Sequence, residues 1–229
     1  MKAVLTALLA VLVIVPSATA SMTTCPTATY DQYLTANFTC MSGNLLFSNF
    51  TYVGTANPSG VAIPATGILV TPQTMMGNEG FQFSSGWSVV NQMSTSSFQD
   101  SLISFTISTV NHLATLEDLG LTFNGTFAGT GVTGVTEQYC LGGTIANCPQ
   151  ATKQITVTNP PPKFNDAVTF AGVSTLSVSK DINVTSGING TAATSQVVNT
   201  FSQVPEPASY ILLGGGLLAL GLLRKRRRS

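Results

Sequence analysis

Leu102-Ile103-Ser104-Phe105-Thr106-Ile107-Ser108-Thr109-Val110 places Ile103, Phe105 and Ile107 on one parity and Ser104, Thr106 and Ser108 on the other. Successive side chains of an extended chain point to opposite faces, so this pattern predicts a strand with one dry and one wet face. A slip of one residue would exchange the faces, which makes the assignment sharp. A second run sets Leu176, Val178, Ile182 and Val184 against Ser177, Ser179, Asp181 and Asn183. Lys180 falls on the apolar parity of that run and reads as a bend or a sheet edge.

The same reading extends outward over most of the chain. Further strands are expected at Leu45 to Val53, Gly67 to Thr71, Gly80 to Phe83, Trp87 to Val90, Leu119 to Phe123, Val132 to Tyr139, Ile155 to Thr158, Ala167 to Phe170 and Gln196 to Phe201. Gly, Asn and Pro separate them at short intervals, as in sandwiches and barrels. Only His112 to Asp118 suggests a helical turn. The fold class expected is all-β, a two-layer antiparallel β-sandwich of jelly-roll-like type. Pro160-Pro161-Pro162 is stiff and extended. About 40 residues separate it from the C-terminal segment, too few for an easily independent core, so it reads as a rigid crossover inside one domain spanning residues 21–203.

Between Ser21 and Gln203 three lysines (Lys153, Lys163, Lys180) stand against eight acids (Asp31, Glu79, Asp100, Glu117, Asp118, Glu137, Asp166, Asp181), a balance of −5 with no arginine. Such a body has no basic footprint for nucleic acid. An even count of four cysteines suggests disulfides if the chain leaves the cytoplasm, and Cys25 with Cys40 and Cys140 with Cys148 is the simplest of three connectivities. Their spacings do not suit zinc, whose ligands come in tight C-x₂₋₄-C pairs.

Chemistry-bearing motifs are sparse. His112 is the one histidine, and no Gly-x-Ser-x-Gly elbow accompanies it, so it reads as structural. Ser177-Val178-Ser179-Lys180 matches Ser-x-x-Lys in letters, but acyl transfer needs the two residues one helical turn apart and here they lie in a strand. Asp100, Glu117, Asp118 and Glu137 are the acids available to a glycosidase or to a calcium site, and they read as isolated solvated residues. Trp87, Phe81 and Phe83 are the candidates for a sugar-stacking platform, with core packing the preferred reading. Asn37, Asn49, Asn124, Asn183 and Asn189 satisfy Asn-x-Ser/Thr. No catalytic residue, metal ligand or cofactor is expected.

The two ends carry addresses. Lys2, the apolar run Val4 to Val15 and the small-x-small step Ala18-Thr19-Ala20 form a signal peptide, residues 1–20, with signal peptidase cutting before Ser21. At the other end Val204-Pro205-Glu206-Pro207 precedes the 16 residues Ala208 to Leu223 and the cations Arg224, Lys225, Arg226, Arg227 and Arg228. The Pro-Glu-Pro step fixes two φ angles and withholds two donors, so it stays extended. A 16-residue helix is roughly 24 Å long, somewhat short of a ~30 Å hydrocarbon core, and snorkelling arginines make up part of the difference. The cations hold that end in the cytoplasm.

This order of parts resembles the PEP-CTERM sorting signal of Gram-negative bacteria over residues 204–229. The resemblance implies recognition by an exosortase-type membrane protease, processing near Pro205-Glu206-Pro207, and transient anchoring in the inner membrane. It also implies a final place at the cell surface or in the extracellular polysaccharide of a biofilm. The body resembles uncharacterised PEP-CTERM proteins with an alternating-strand body and two cysteine pairs. The function expected is therefore a structural or adhesive exported protein, not an enzyme. A lectin-like carbohydrate-binding module, with or without calcium, is the alternative, and a polysaccharide hydrolase is a further one.

Overall fold

The computed structural model describes residues 23–57, 60–75, 77–91, 95–110 and 114–205. In chain order the elements are β1 (Ala28–Thr29), a single helical turn α1 (Tyr30–Tyr33), β2 (Cys40–Ser42), β3 (Leu45–Asn57) and a 3₁₀ turn (Ala65–Gly67). There follow β4 (Leu69–Met75), β5 (Asn78–Val90), β6 (Phe98–Thr109), β7 (Ala114–Phe123) and β8 (Thr126–Gly129). The last are β9 (Val132–Leu141), β10 (Lys153–Asn159), β11 (Asn165–Val173), β12 (Thr175–Thr185) and β13 (Gly190–Pro205). They form two antiparallel sheets. One runs β1-β4-β5-β13-β7-β11, with β8 also pairing β13, and the other runs β10-β9-β12-β6-β3-β2.

The inner faces of the two sheets supply one continuous core. Ile103, Phe105 and Ile107 of β6 are buried against the other sheet, while Ser104, Thr106 and Ser108 face outward, as the alternation predicts. Strand β12 lies between β6 and β9, with Val178 opposite Phe105 and Tyr139. An aromatic cluster fills the space between the layers. Phe81 meets Phe47 with ring centroids 4.5 Å apart and Phe105 edge-on at 5.7 Å. Phe201 of β13 approaches Phe105 at 6.1 Å in the same edge-on manner. Such pairs add about 0.5–1.5 kcal/mol beyond their area burial.

Two bulges explain where the local pattern misleads. In β3 the pairing with β6 shifts between Ser48 and Thr51, with Asn49 left-handed at φ 55°. The apolar parity therefore changes from Leu45 and Phe47 to Phe50 and Tyr52 without breaking the strand. In β7 the register against β13 shifts between Ser202 and Gln203. Leu116 and Leu119, three apart, both face the core because the extra residue Glu117 lies between them. That spacing mimics a helix, but residues 114–118 of the expected helical turn are strand. Asn78–Val90 is likewise one strand where two were expected.

Pro160 to Pro162 carry the chain from β10 in one sheet to β11 in the other, a crossover within the sandwich. Reciprocal backbone bonds between Thr158 and Lys163, 2.9 and 2.8 Å, close the turn. Strand β13 is longer than expected. Val204 pairs with Thr115 and Pro205 with Ala114, so sheet pairing continues past the expected domain end at residue 203.

Both disulfides join the residues nearest in sequence. Cys25–Cys40 has Cα atoms 4.7 Å apart and pins the N-terminal arm to β2; Cys140–Cys148 has them 5.6 Å apart and closes the loop after β9. The first encloses a separation of 15 residues; a loop of that size is worth about 3 kcal/mol by chain entropy.

Phe105 is the residue on which both layers converge. Phe105→Ala is expected to lower unfolding free energy by about 3–5 kcal/mol, the usual loss for a buried Phe. Urea titration followed by tryptophan fluorescence measures this through Trp87, and a loss below 1 kcal/mol or so would contradict the core assignment.

Candidate functional site

The alternation that places Ile182 and Val178 in the core places Lys180 there too. It marks neither a bend nor an edge, because β12 is flanked on both sides and its partners across the ladder are Ile103 and Glu137. Lys180 and Glu137 both expose no surface, and Lys180 Nζ lies 3.1 Å from Glu137 Oε2. Glu137 is thus no solvated loop acid. The third member comes from the other sheet: Lys180 Nζ donates to Asn199 Oδ1 at 2.8 Å, and Asn199 Nδ2 donates to the Gly120 carbonyl at 3.0 Å. The rings of Phe83 and Phe105 lie over the ammonium, 5.3 and 4.9 Å from Nζ to their centroids.

The close fit of β13 at this point depends on Gly80. A Cβ there would stand 1.9 Å from the Asn199 carbonyl oxygen. Burial drives both charged members of the triad toward neutrality. It raises the Glu137 pKa against the opposing pull of Lys180 and Asn199, and it lowers that of Lys180 against the pull of Glu137. An amine, a carboxyl and a carboxamide therefore meet in a core closed to bulk solvent.

A second polar group lies on the outer face of the same sheet. Ser104 donates to Ser179 at 2.7 Å, Thr106 and Ser177 share a bond of 3.0 Å, and Thr55 reaches Asp100 at 3.4 Å. Asp100 and Asp181 are diagonal neighbours across β6 and β12, since Asp100 faces Asn183 and Asp181 faces Leu102. Partial burial, followed by the neighbouring Asp181, pushes the Asp100 carboxyl up to about 7. Glu79 is the other acid drawn inward, accepting from Ser42 and, at 3.1 Å, from Thr74.

The remaining candidates stand apart. Ser177 is on the outer face and Lys180 on the inner face of one strand, so the Ser-x-x-Lys letters do not form a nucleophile-base pair. Trp87 is fully buried with Nε1 donating to Ser101 at 2.9 Å, and Phe81 and Phe83 are equally buried, so none of them forms a stacking platform. Glu117 and Asp118 lie on β7 of the opposite sheet, where Asp118 accepts from the Ser202 amide at 3.0 Å. Among the described residues no three His, Cys, Asp or Glu side chains gather as a metal-ligand group. His112, the signal-peptidase residues Ala18, Ala20 and Ser21, and the segment from Glu206 and Pro207 through Arg224 to Arg228 lie outside the described residues. The sequence carries one signal of the Lys180 triad, a charged residue on an otherwise apolar parity, and none that joins it to Glu137 and Asn199.

Residues 203–228 match the family described as the PEP-CTERM protein-sorting motif, so the chain carries that sorting signal at its C-terminal end. No curated protein matches the chain in sequence. Among solved structures, TmCBM61 in complex with beta-1,4-galactotriose is 10% identical over 68% of this chain and 88% of that chain, with a TM-score of 0.33. The enzymatically active domain of tailspike protein 4 of bacteriophage CBA120 is 15% identical over 68% of this chain and 19% of that one, with a TM-score of 0.30.

A carboxyl with a higher pKa folded than unfolded binds more protons in the folded state between the two values. With Asp100 near 7 folded and about 4 unfolded, its contribution to stability falls as pH rises through that window. Asp100→Asn is expected to flatten the decline of the urea midpoint between about pH 4 and pH 7. Parallel pH profiles for the two proteins would refute the assignment.

Proposed function

We propose that this chain is an exported surface or extracellular-matrix protein, delivered by an exosortase-type system and serving a structural or adhesive role without catalysis. One observation carries the reading: the sorting motif matched at residues 203–228 follows directly on a disulfide-stapled β-sandwich. In this account residues 1–20 direct export and signal peptidase removes them. Ala208 to Leu223 then hold the protein in the inner membrane, with Arg224 to Arg228 on the cytoplasmic side. Cleavage near Pro205-Glu206-Pro207 releases a body comprising residues 21–203 and the end of its last strand. Because β13 continues to Pro205, the protease would work at the very edge of the fold, and the released body would keep little loose tail.

Polysaccharide is the partner such a protein would meet outside the cell. The carbohydrate-binding alternative draws support from the outer face of the six-stranded sheet, where the half-buried Ser104, Thr106, Asp100 and Asp181 present hydroxyl and carboxyl groups. Buried Trp87 weighs against stacking as its mode of binding.

Glu206→Ala removes the one charge of the recognition step and leaves the apolar segment and the cations intact. Insertion is expected to proceed as before while release stops, so that full-length protein accumulates in the membrane fraction. The C-terminal mass of protein recovered outside wild-type cells is the check: an intact Arg-rich tail there would overturn the sorting assignment.

A further inference from the structure

We propose that Lys180 and Asn199 become joined by an intramolecular isopeptide bond between Nζ and Cγ, with Glu137 relaying the proton, so that the two sheets of the sandwich are tied covalently. The geometry is that of reactants held in place. Nζ is 2.8 Å from Oδ1, one bond away from the carbon it would attack, and Nδ2 is held on the Gly120 carbonyl on its other side. Fixing two partners at about 3 Å in a rigid core supplies much of the barrier reduction for an otherwise slow amine–amide exchange.

The triad makes poor sense as a stabilising device alone. A buried ion pair seldom outperforms apolar residues of the same volume, because desolvation cancels most of the attraction. The body nevertheless spends one of its three lysines here, enclosed by Phe83 and Phe105. Burial supplies what the chemistry requires. It favours the state in which the proton sits on the Glu137 carboxyl and leaves the Lys180 nitrogen with a free lone pair. The two rings exclude water that would compete for the carbonyl.

The step balances without an oxidant or a co-reactant. The neutral Nζ adds to Cγ, the Cγ–Nδ2 bond breaks, and one hydrogen of Nζ passes to Nδ2, which departs as ammonia. Glu137 gives its proton to the departing Nδ2 as acid and takes the one that Nζ releases as base, ending as it began. Lys180 and Asn199 are 19 residues apart on β12 and β13, strands of opposite sheets. The bond would thus tie the layers at their centre, in a position that reduction of the disulfides leaves untouched.

Digestion of the purified full chain by a protease cutting before aspartate tests this directly, since Asp181 follows Lys180. Fragment 166–180 and the fragment beginning at 181 are expected to stay joined, lighter than their sum as hydrolytic products by one ammonia. Glu137→Gln should leave them separate. Asn199→Asp should again give a joined product, now by loss of water and therefore of the same mass as the wild-type product. Separate fragments from the wild-type chain, or a link that tandem mass spectrometry maps to another pair, would overturn the proposal. Joined fragments in the Glu137→Gln protein would overturn the role of Glu137.

Discussion

The pairing of β12 with β6, unbroken in register from Thr175 opposite Ser108 to Thr185 opposite Phe98, is the constraint from which the other features of this sandwich follow. It commits every second residue of both strands to the interlayer space. Once Phe105 and Val178 face inward, Lys180 must do so as well, because a strand cannot turn one side chain outward without a bulge. The opposite face of the same pair is committed with equal rigidity to Ser104, Ser179, Asp100 and Asp181. The core triad and the outer polar face are two consequences of a single register.

A charge placed inside by that register must find compensation or neutralise. Glu137 supplies the first from the neighbouring strand, and Asn199 adds a neutral acceptor from the facing sheet. Aromatic packing around them keeps bulk solvent away. The interior of this domain is therefore more than a hydrophobic filling: it contains three mutually contacting polar groups whose protonation states depend on one another. Their surroundings resemble those of enzyme sites, where desolvation and a charged neighbour set reactivity. Here no cleft is needed, since both reactants belong to the chain.

The C-terminal end shows a different coupling between fold and address. Strand β13 crosses the middle of its sheet, contributes Asn199 and Phe201 to the core, and continues through Val204 to Pro205. The chain thus passes from the centre of the fold to the sorting motif with no intervening spacer. Pro205 withholds a ladder donor, which suits the last residue of a strand. The two disulfides hold other margins, the N-terminal arm and the loop after β9.

Local alternation and composition determined much of this protein on their own. The inward set of β6, the all-β layered architecture, both cysteine pairs and the Pro160–Pro162 crossover depend on short-range geometry or on proximity along the chain. The sorting motif is legible for the same reason, as a linear order of proline, apolar and basic segments. Tertiary structure alone decided the remainder. Whether Lys180 lies at an edge depends on which strands flank β12, and β9 and β6 reach it from distant parts of the sequence. The bulges at Asn49 and Glu117 reverse parity through cross-strand register, which neighbouring residues do not encode. The meeting of Glu137, Lys180 and Asn199 requires two sheets to close face to face, because side chains far apart in sequence acquire a common environment only when burial brings them together.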